Sequence, residues 1–101
     1  MKVVERNGET RITFQQDLVA GMSTRFREKL ADLINSGKTD LVIDFSLVEL
    51  VDSSGIGVLI SAQNTLAKHG KKLVLVNVSD KILHIMKIMR LDRHFKIETG
   101  G

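Results

Sequence analysis

Two short apolar runs, Leu41-Val42-Ile43 and Leu73-Val74-Leu75-Val76, sit between polar residues, with segments of helical period between and after them. An uninterrupted apolar run of this length suits a strand at the centre of a sheet covered on both faces. Such strands belong to α/β domains, where helices supply the covering layers. Both runs are therefore expected to be central, with Ile43 and Val74 almost fully buried.

The remaining segments fill in that plan. Asn7-Gly8 suits the positive φ angles of a type I′ turn, so Val3–Arg6 and Glu9–Phe14 are expected to form a hairpin with Val3–Arg6 at or near a sheet edge. Ile12 and Phe14 alternate with Arg11 and Thr13, which gives that strand one buried and one wet face. Met22, Phe26, Leu30, Leu33 and Ile34 recur at helical spacing until Asn35-Ser36-Gly37 ends the run. A second helix is expected from about Ser54 to His69, with Ile56, Leu59, Ile60 and Leu66 on its apolar side and Gly70 as its stop. Ser79 can cap a third helix carrying Ile82, Ile85, Met86 and Met89, and His94–Glu98 reads as a last short strand.

The order is ββαβαβαβ: an α/β fold with a mixed central sheet of four to five strands layered with helices, its parallel strands joined by right-handed crossovers. With 101 residues and no proline, repeat or linker, residues 1–101 read as a single domain with one core. The third helix carries Ile82, Leu83, Ile85, Met86, Ile88 and Met89, more apolar circumference than one core-facing stripe requires. It is expected to be sunk into the sheet on one side and shielded by the tail on the other. The alternative is an exposed Met-rich patch for dimerisation or docking, and the oligomeric state stays open.

Composition removes several function classes. The absence of cysteine excludes a disulfide framework, thiolate metal sites and a cysteine nucleophile. Without Trp or Tyr and with only four Phe, the chain offers no stacking platform for single-stranded nucleic acid. The net charge of +3 is mild and scattered, so no direct nucleic-acid partner is expected. No segment approaches the ~20 apolar residues that cross a bilayer. The start, Met1-Lys2-Val3-Val4-Glu5-Arg6, turns charged too soon for a signal peptide, so the chain reads as cytoplasmic and without a membrane partner.

The segment that draws attention is Leu50-Val51-Asp52-Ser53-Ser54-Gly55-Ile56-Gly57-Val58-Leu59, between a strand and a helix. Asp52 and Ser53 are natural N-caps, and the plain reading is that they cap the helix and do nothing more. Against it, Gly55 and Gly57 fall in the first turn, where each costs about 1 kcal/mol relative to Ala. Bare backbone there suits a partner that must approach closely, and a helix start suits a phosphate. A Ser hydroxyl at that place is a candidate phosphorylation site.

Catalytic readings of the chain fail on spacing. Gly55-Ile56-Gly57 has Ile60 where a dinucleotide fingerprint has its third Gly, and no Gly-Lys-Ser/Thr loop occurs. A nucleophile elbow needs Gly two residues before the Ser, whereas Val51 precedes Ser53 and Asp52 precedes Ser54. His69, His84 and His94 show no metal-ligand spacing, and no paired carboxylates emerge. No enzyme, metal site or cofactor is expected.

Val42-Ile43-Asp44-Phe45-Ser46, then Val51-Asp52-Ser53-Ser54-Gly55-Ile56-Gly57-Val58-Leu59, then Gly70-Lys71-Lys72-Leu73-Val74-Leu75-Val76 resemble the STAS family, and within it the stand-alone anti-sigma factor antagonists. The likeness runs from the hairpin to Phe95-Lys96-Ile97. It implies a sheet backed by helices and a partner switch without catalysis in this chain. In that family the unphosphorylated antagonist binds an ATP-dependent serine kinase that doubles as an anti-sigma factor, which frees the sigma factor. The kinase phosphorylates the Ser directly after the motif's Asp, here Ser53, and a metal-dependent serine phosphatase resets the switch. By motif position Asp52 and Ser54 flank the acceptor, and Gly55, Ile56 and Gly57 open the helix for contact.

One departure stands out. The family often has Gly-Asp/Glu-Leu-Asp after the second strand, where this chain reads Gln16-Asp17-Leu18-Val19, so Val19 replaces an acidic residue of the partner groove. The alternative implied by the family is a constitutive subunit of a larger assembly, a stressosome or a lipid-transport ATPase complex.

Overall fold

Asn7 and Gly8 adopt φ of +50° and +78°, which folds strand β1 (Lys2–Arg6) back onto β2 (Glu9–Thr13). The computed structural model that shows this describes residues 2–14, 20–35 and 40–99. The hairpin is antiparallel with Val3 opposite Ile12 and Val4 opposite Arg11. Beyond it come α1 (Ala20–Asn35), β3 (Asp40–Asp44), α2 (Ser53–Lys68), β4 (Leu73–Val78), α3 (Asp80–Ile88), a single 3-10 turn (Leu91–Arg93) and β5 (Lys96–Thr99). Gln16-Asp17-Leu18-Val19, the helix stop at Ser36-Gly37 and the side chains of Met22 and Phe26 lie outside the described residues.

The sheet order is β1-β2-β3-β4-β5, and β2 to β5 run parallel. Each crossover steps one strand in the same direction, and right-handed crossovers of that kind lay all three helices on one face. The core agrees with this topology. Ile12, Phe14, Leu41, Ile43, Phe45, Leu73 and Leu75 share one face by register, and they form a single buried cluster with Leu30 and Ile34 of α1, Leu59 and Leu66 of α2, and Ile82 and Met86 of α3. Phe14 and Phe45 meet edge-to-face with ring centroids 6.4 Å apart.

The opposite face corrects one expectation. Ile43 is fully buried, but Val74 is only half-buried, and Val76 with it, because both point away from the helices. β4 thus alternates between buried and half-wet positions, even though all its apolar residues look alike in the sequence, whereas its neighbour Val42 of the central β3, on the same face as Val74, is 6% exposed. The alternation breaks at Asn77, whose φ of +56° marks a register shift between Leu75 and Val78. This bulge turns Val78 back into the core.

At the C-terminal end, the expected strand His94–Glu98 begins two residues later. The 3-10 turn precedes it, and Leu91 and Phe95 enter the core. α3 is sunk on one side through Ile82 and Met86, while Leu83 and Ile85 are half-buried against the core. Ile88 and Met89, at its end, are exposed. Gly70, at φ +69°, ends the turn after α2 as expected.

Candidate functional site

The parallel strands deliver their C-terminal ends to one edge of the sheet, and the segment 45–52 leaves from that edge to start α2. Burial and backbone bonds hold part of its path. The Phe45 amide donates to the Val76 carbonyl at 2.9 Å, and the Val48 amide donates back to the Phe45 carbonyl at 2.9 Å. Phe45 and Val48 are buried, whereas Leu47 and Leu50 are 57% and 50% exposed.

Asp52 is the N-cap of α2, with extended backbone at φ −97°. Its Oδ1 accepts from the Gly55 amide at 3.0 Å and from the Ser54 hydroxyl at 2.7 Å. The capping role that two residues could have filled thus falls to Asp52 alone, and the same oxygen engages the half-buried Ser54. Ser53, the first residue of the helix, is exposed.

The residues after it divide by helical geometry. Gly55 is buried and Ile56 is 4% exposed in the core, so both face inward. Gly57 is exposed, and a Cβ placed on it would meet nothing within 4 Å. Residues four apart are neighbours on a helix surface, so Ser53 and Gly57 sit side by side facing out. The structure therefore brings Asp52, Ser53, Ser54 and Gly57 to one exposed corner. It places Gly55 and Ile56 beneath that corner.

A second cluster at the same sheet edge is centred on Asp44, which the sequence shows only as one letter of a strand. Its Oδ2 accepts from Arg11 Nη2 at 3.0 Å, and its Oδ1 accepts from the Ser46 amide at 2.9 Å and from Asn77 Nδ2 at 3.1 Å. Burial works to raise the pKa of this carboxyl. The hydrogen bonds from Ser46, Asn77 and Arg11 outweigh it and hold the carboxyl at about 2, below its ordinary 3.8. The three partners lie more than 30 residues away or in the departing segment, so no local pattern could have shown them together.

The histidines do not converge on a site. His69 closes α2 with Nδ1 3.0 Å from the Thr65 carbonyl, His84 is exposed on α3, and His94 is exposed after the 3-10 turn. Among the described residues no group of three or more acidic or histidine side chains could hold a metal ion, and no helix is long and apolar enough to cross a membrane.

Among the described residues, a five-stranded mixed sheet with three helices on one face, and an exposed serine where the third strand passes into its helix, defines a small α/β domain of STAS type. The chain belongs to the STAS-domain family: the family model described as Mlab, STAS domain matches residues 1–98. Solved structures agree on the fold. A candidate anti-sigma factor antagonist from Thermotoga maritima superposes with a TM-score of 0.93 at 21% identity, over 98% of this chain and 86% of that one. The anti-sigma factor antagonist SpoIIAA, in its unphosphorylated form, gives a TM-score of 0.76 at 17% identity, over 99% and 87%. A component of the stressosome, a signal integration and transduction hub, gives 0.74 at 23%, over 98% and 88%.

Proposed function

We propose that this chain is a non-enzymatic, cytoplasmic regulator of the anti-sigma factor antagonist kind, switched by phosphorylation of Ser53. Unphosphorylated, it binds a serine kinase that acts as an anti-sigma factor, and a sigma factor is released; a serine phosphatase resets the switch. The observation that carries the reading is the division of labour at the start of α2. Asp52 caps, the Ser54 hydroxyl is bonded to Asp52, and Ser53 is left exposed at the helix start.

The chemistry of the switch follows from that corner. A phosphate on Ser53 adds a charge of about −1.5 to −2 at neutral pH. The amides at the helix start favour it by roughly 0.3–1 kcal/mol, and the neighbouring Asp52 carboxylate opposes it. With these local terms opposed, the new charge acts on the partner rather than on the fold. Each ~1.4 kcal/mol of lost complementarity lowers affinity tenfold. Asp52, Ser54 and the bare backbone of Gly57 form the rest of the contact, and the inward-facing Gly55 and Ile56 hold the helix start in place beneath it. The kinase supplies base, magnesium and ATP.

Intact-mass spectrometry with peptide mapping tests the reading, using a serine kinase of the anti-sigma type from the same genome with ATP. Phosphate is expected on Ser53; Ser53→Ala should bind the kinase but take no phosphate, Ser53→Asp should bind poorly, and Ser54→Ala should still be modified. Phosphate on Ser54 or Ser79, or tight binding by Ser53→Asp, overturns it. A chain that co-purifies with a large assembly whether or not Ser53 is modified is instead a constitutive subunit, the reading that the stressosome likeness supports.

A further inference from the structure

The segment 45–52 joins β3 to Ser53 without regular structure at its start, and after the Phe45 amide bonds the Val76 carbonyl the next one, that of Ser46, is fastened to a side chain. That side chain belongs to Asp44. One carboxylate there takes hydrogen bonds from Arg11 on β2, from Asn77 at the bulge of β4, and from the Ser46 amide of the departing segment. Asp44 is almost wholly withdrawn from solvent, its side chain 12% exposed, while Arg11 reaches it from a side chain that is 44% exposed. The bonds tie three adjacent strands and one loop at a single point. Just beyond that point Leu47 and Leu50 face solvent, and Ser53 follows.

From this geometry we infer that Asp44 is a positioning residue for the Ser53 site: it fixes the direction in which residues 46–50 leave the sheet, and so where Leu47 and Leu50 stand when a kinase approaches Ser53. Ser53 itself is seated by α2, whose Ile56, Leu59 and Leu66 are packed in the core independently of Asp44. Loosening the clasp therefore moves the flank of the site and leaves the acceptor in place. Asn77 is part of the same device. Its left-handed backbone, φ +56°, aims its amide at Asp44 and turns Val78 inward, immediately before Ser79 caps α3.

The inference rests on the reading of Ser53 as phosphoacceptor, and its test separates the two. Three full-length variants are compared with wild type: Asp44→Ala; Asp44→Asn, which keeps an oxygen for the Ser46 amide; and Asn77→Gly, which suits the positive φ and preserves the fold while removing one bond to Asp44. Hydrogen exchange of the Ser46 and Val48 amides is expected to rise about tenfold or more in Asp44→Ala and Asn77→Gly, with Ile43 and Leu75 unchanged, and to return toward wild type in Asp44→Asn. In the kinase assay KM should rise several-fold while kcat stays near wild type, with the same partial rescue by Asp44→Asn. Unchanged exchange at Ser46 and Val48 in both loosened variants overturns the inference, as does a fall in kcat at constant KM. If wild type takes its phosphate elsewhere, the reading of Ser53 fails, and with it the link from Asp44 to that site; the exchange result then decides only whether Asp44 holds the segment.

Discussion

Glycine near the start of a helix is a cost unless something needs the missing side chain, and Gly57, the fifth residue of α2, isolates that cost. Its backbone is helical, its surface is exposed, and a Cβ would meet nothing within 4 Å, so the interior of the protein has no use for the bare position. Gly57→Ala should therefore stabilise the fold by about 0.4–1 kcal/mol, seen as a higher thermal midpoint. If the glycine serves close approach by the kinase, the same variant should bind it at least about tenfold more weakly. A stabilised variant that binds as well as wild type would remove Gly57 from the contact. The sequence showed this corner but could not apportion it. Asp52 and Ser53 are both good caps by residue type, and only the reach of Asp52 Oδ1 to the Gly55 amide shows which one does the work. Gly55 and Gly57 look equivalent in the motif, yet a helical step of two places one inside and one outside.

Among the elements, β4 shows what a residue string hides. Leu73-Val74-Leu75-Val76 reads as buried throughout, but Leu73 and Leu75 face the helices of the described residues while Val74 and Val76, on the other face, are half-buried. Leu75→Ala should then cost about 2–5 kcal/mol in denaturant unfolding, and Val74→Ala distinctly less, about 1 kcal/mol. Equal costs would mean that both faces are covered. The hairpin, by contrast, was fully legible, because Asn7-Gly8 states its backbone angles in its residue types. The clasp between strands was not, since Arg11, Asp44 and Asn77 meet only after the sheet is assembled. It also carries a pH signature. Asp44 titrates near 2 in the folded chain against 3.8 as its ordinary value. Its contribution is thus present above pH ~4 and is lost as pH falls through the range from 3.8 to about 2. Asp44→Asn should be roughly 1–2 kcal/mol less stable than wild type at neutral pH, a figure discounted for the exposed Arg11, and the gap should close toward pH 2. A gap that persists unchanged to pH 2 would assign the loss to packing rather than charge.

For the molecule as a whole, the separation of core from corner sets what a phosphate can do. Ile56, Val58, Leu59 and Leu66 of α2 are buried and hold the helix to the sheet, whereas Ser53 is exposed. A phosphate added there displaces no core contact and enters no buried space. The helix amides attract it and the Asp52 carboxylate repels it, each by about 1 kcal/mol or less. The phosphorylated chain should therefore unfold within about 1 kcal/mol of the unmodified one, which for a domain of this size is a shift of no more than about 4–8 °C in thermal midpoint. Hydrogen exchange should change only in the first turn of α2 and the segment before it. Over the same comparison the affinity for the kinase should fall by at least about tenfold, the equivalent of ~1.4 kcal/mol placed entirely at the interface. A midpoint displaced beyond that range, or altered exchange in β4 and α3, would show that the phosphate works by rearranging the domain, and the surface-charge mechanism would have to be abandoned.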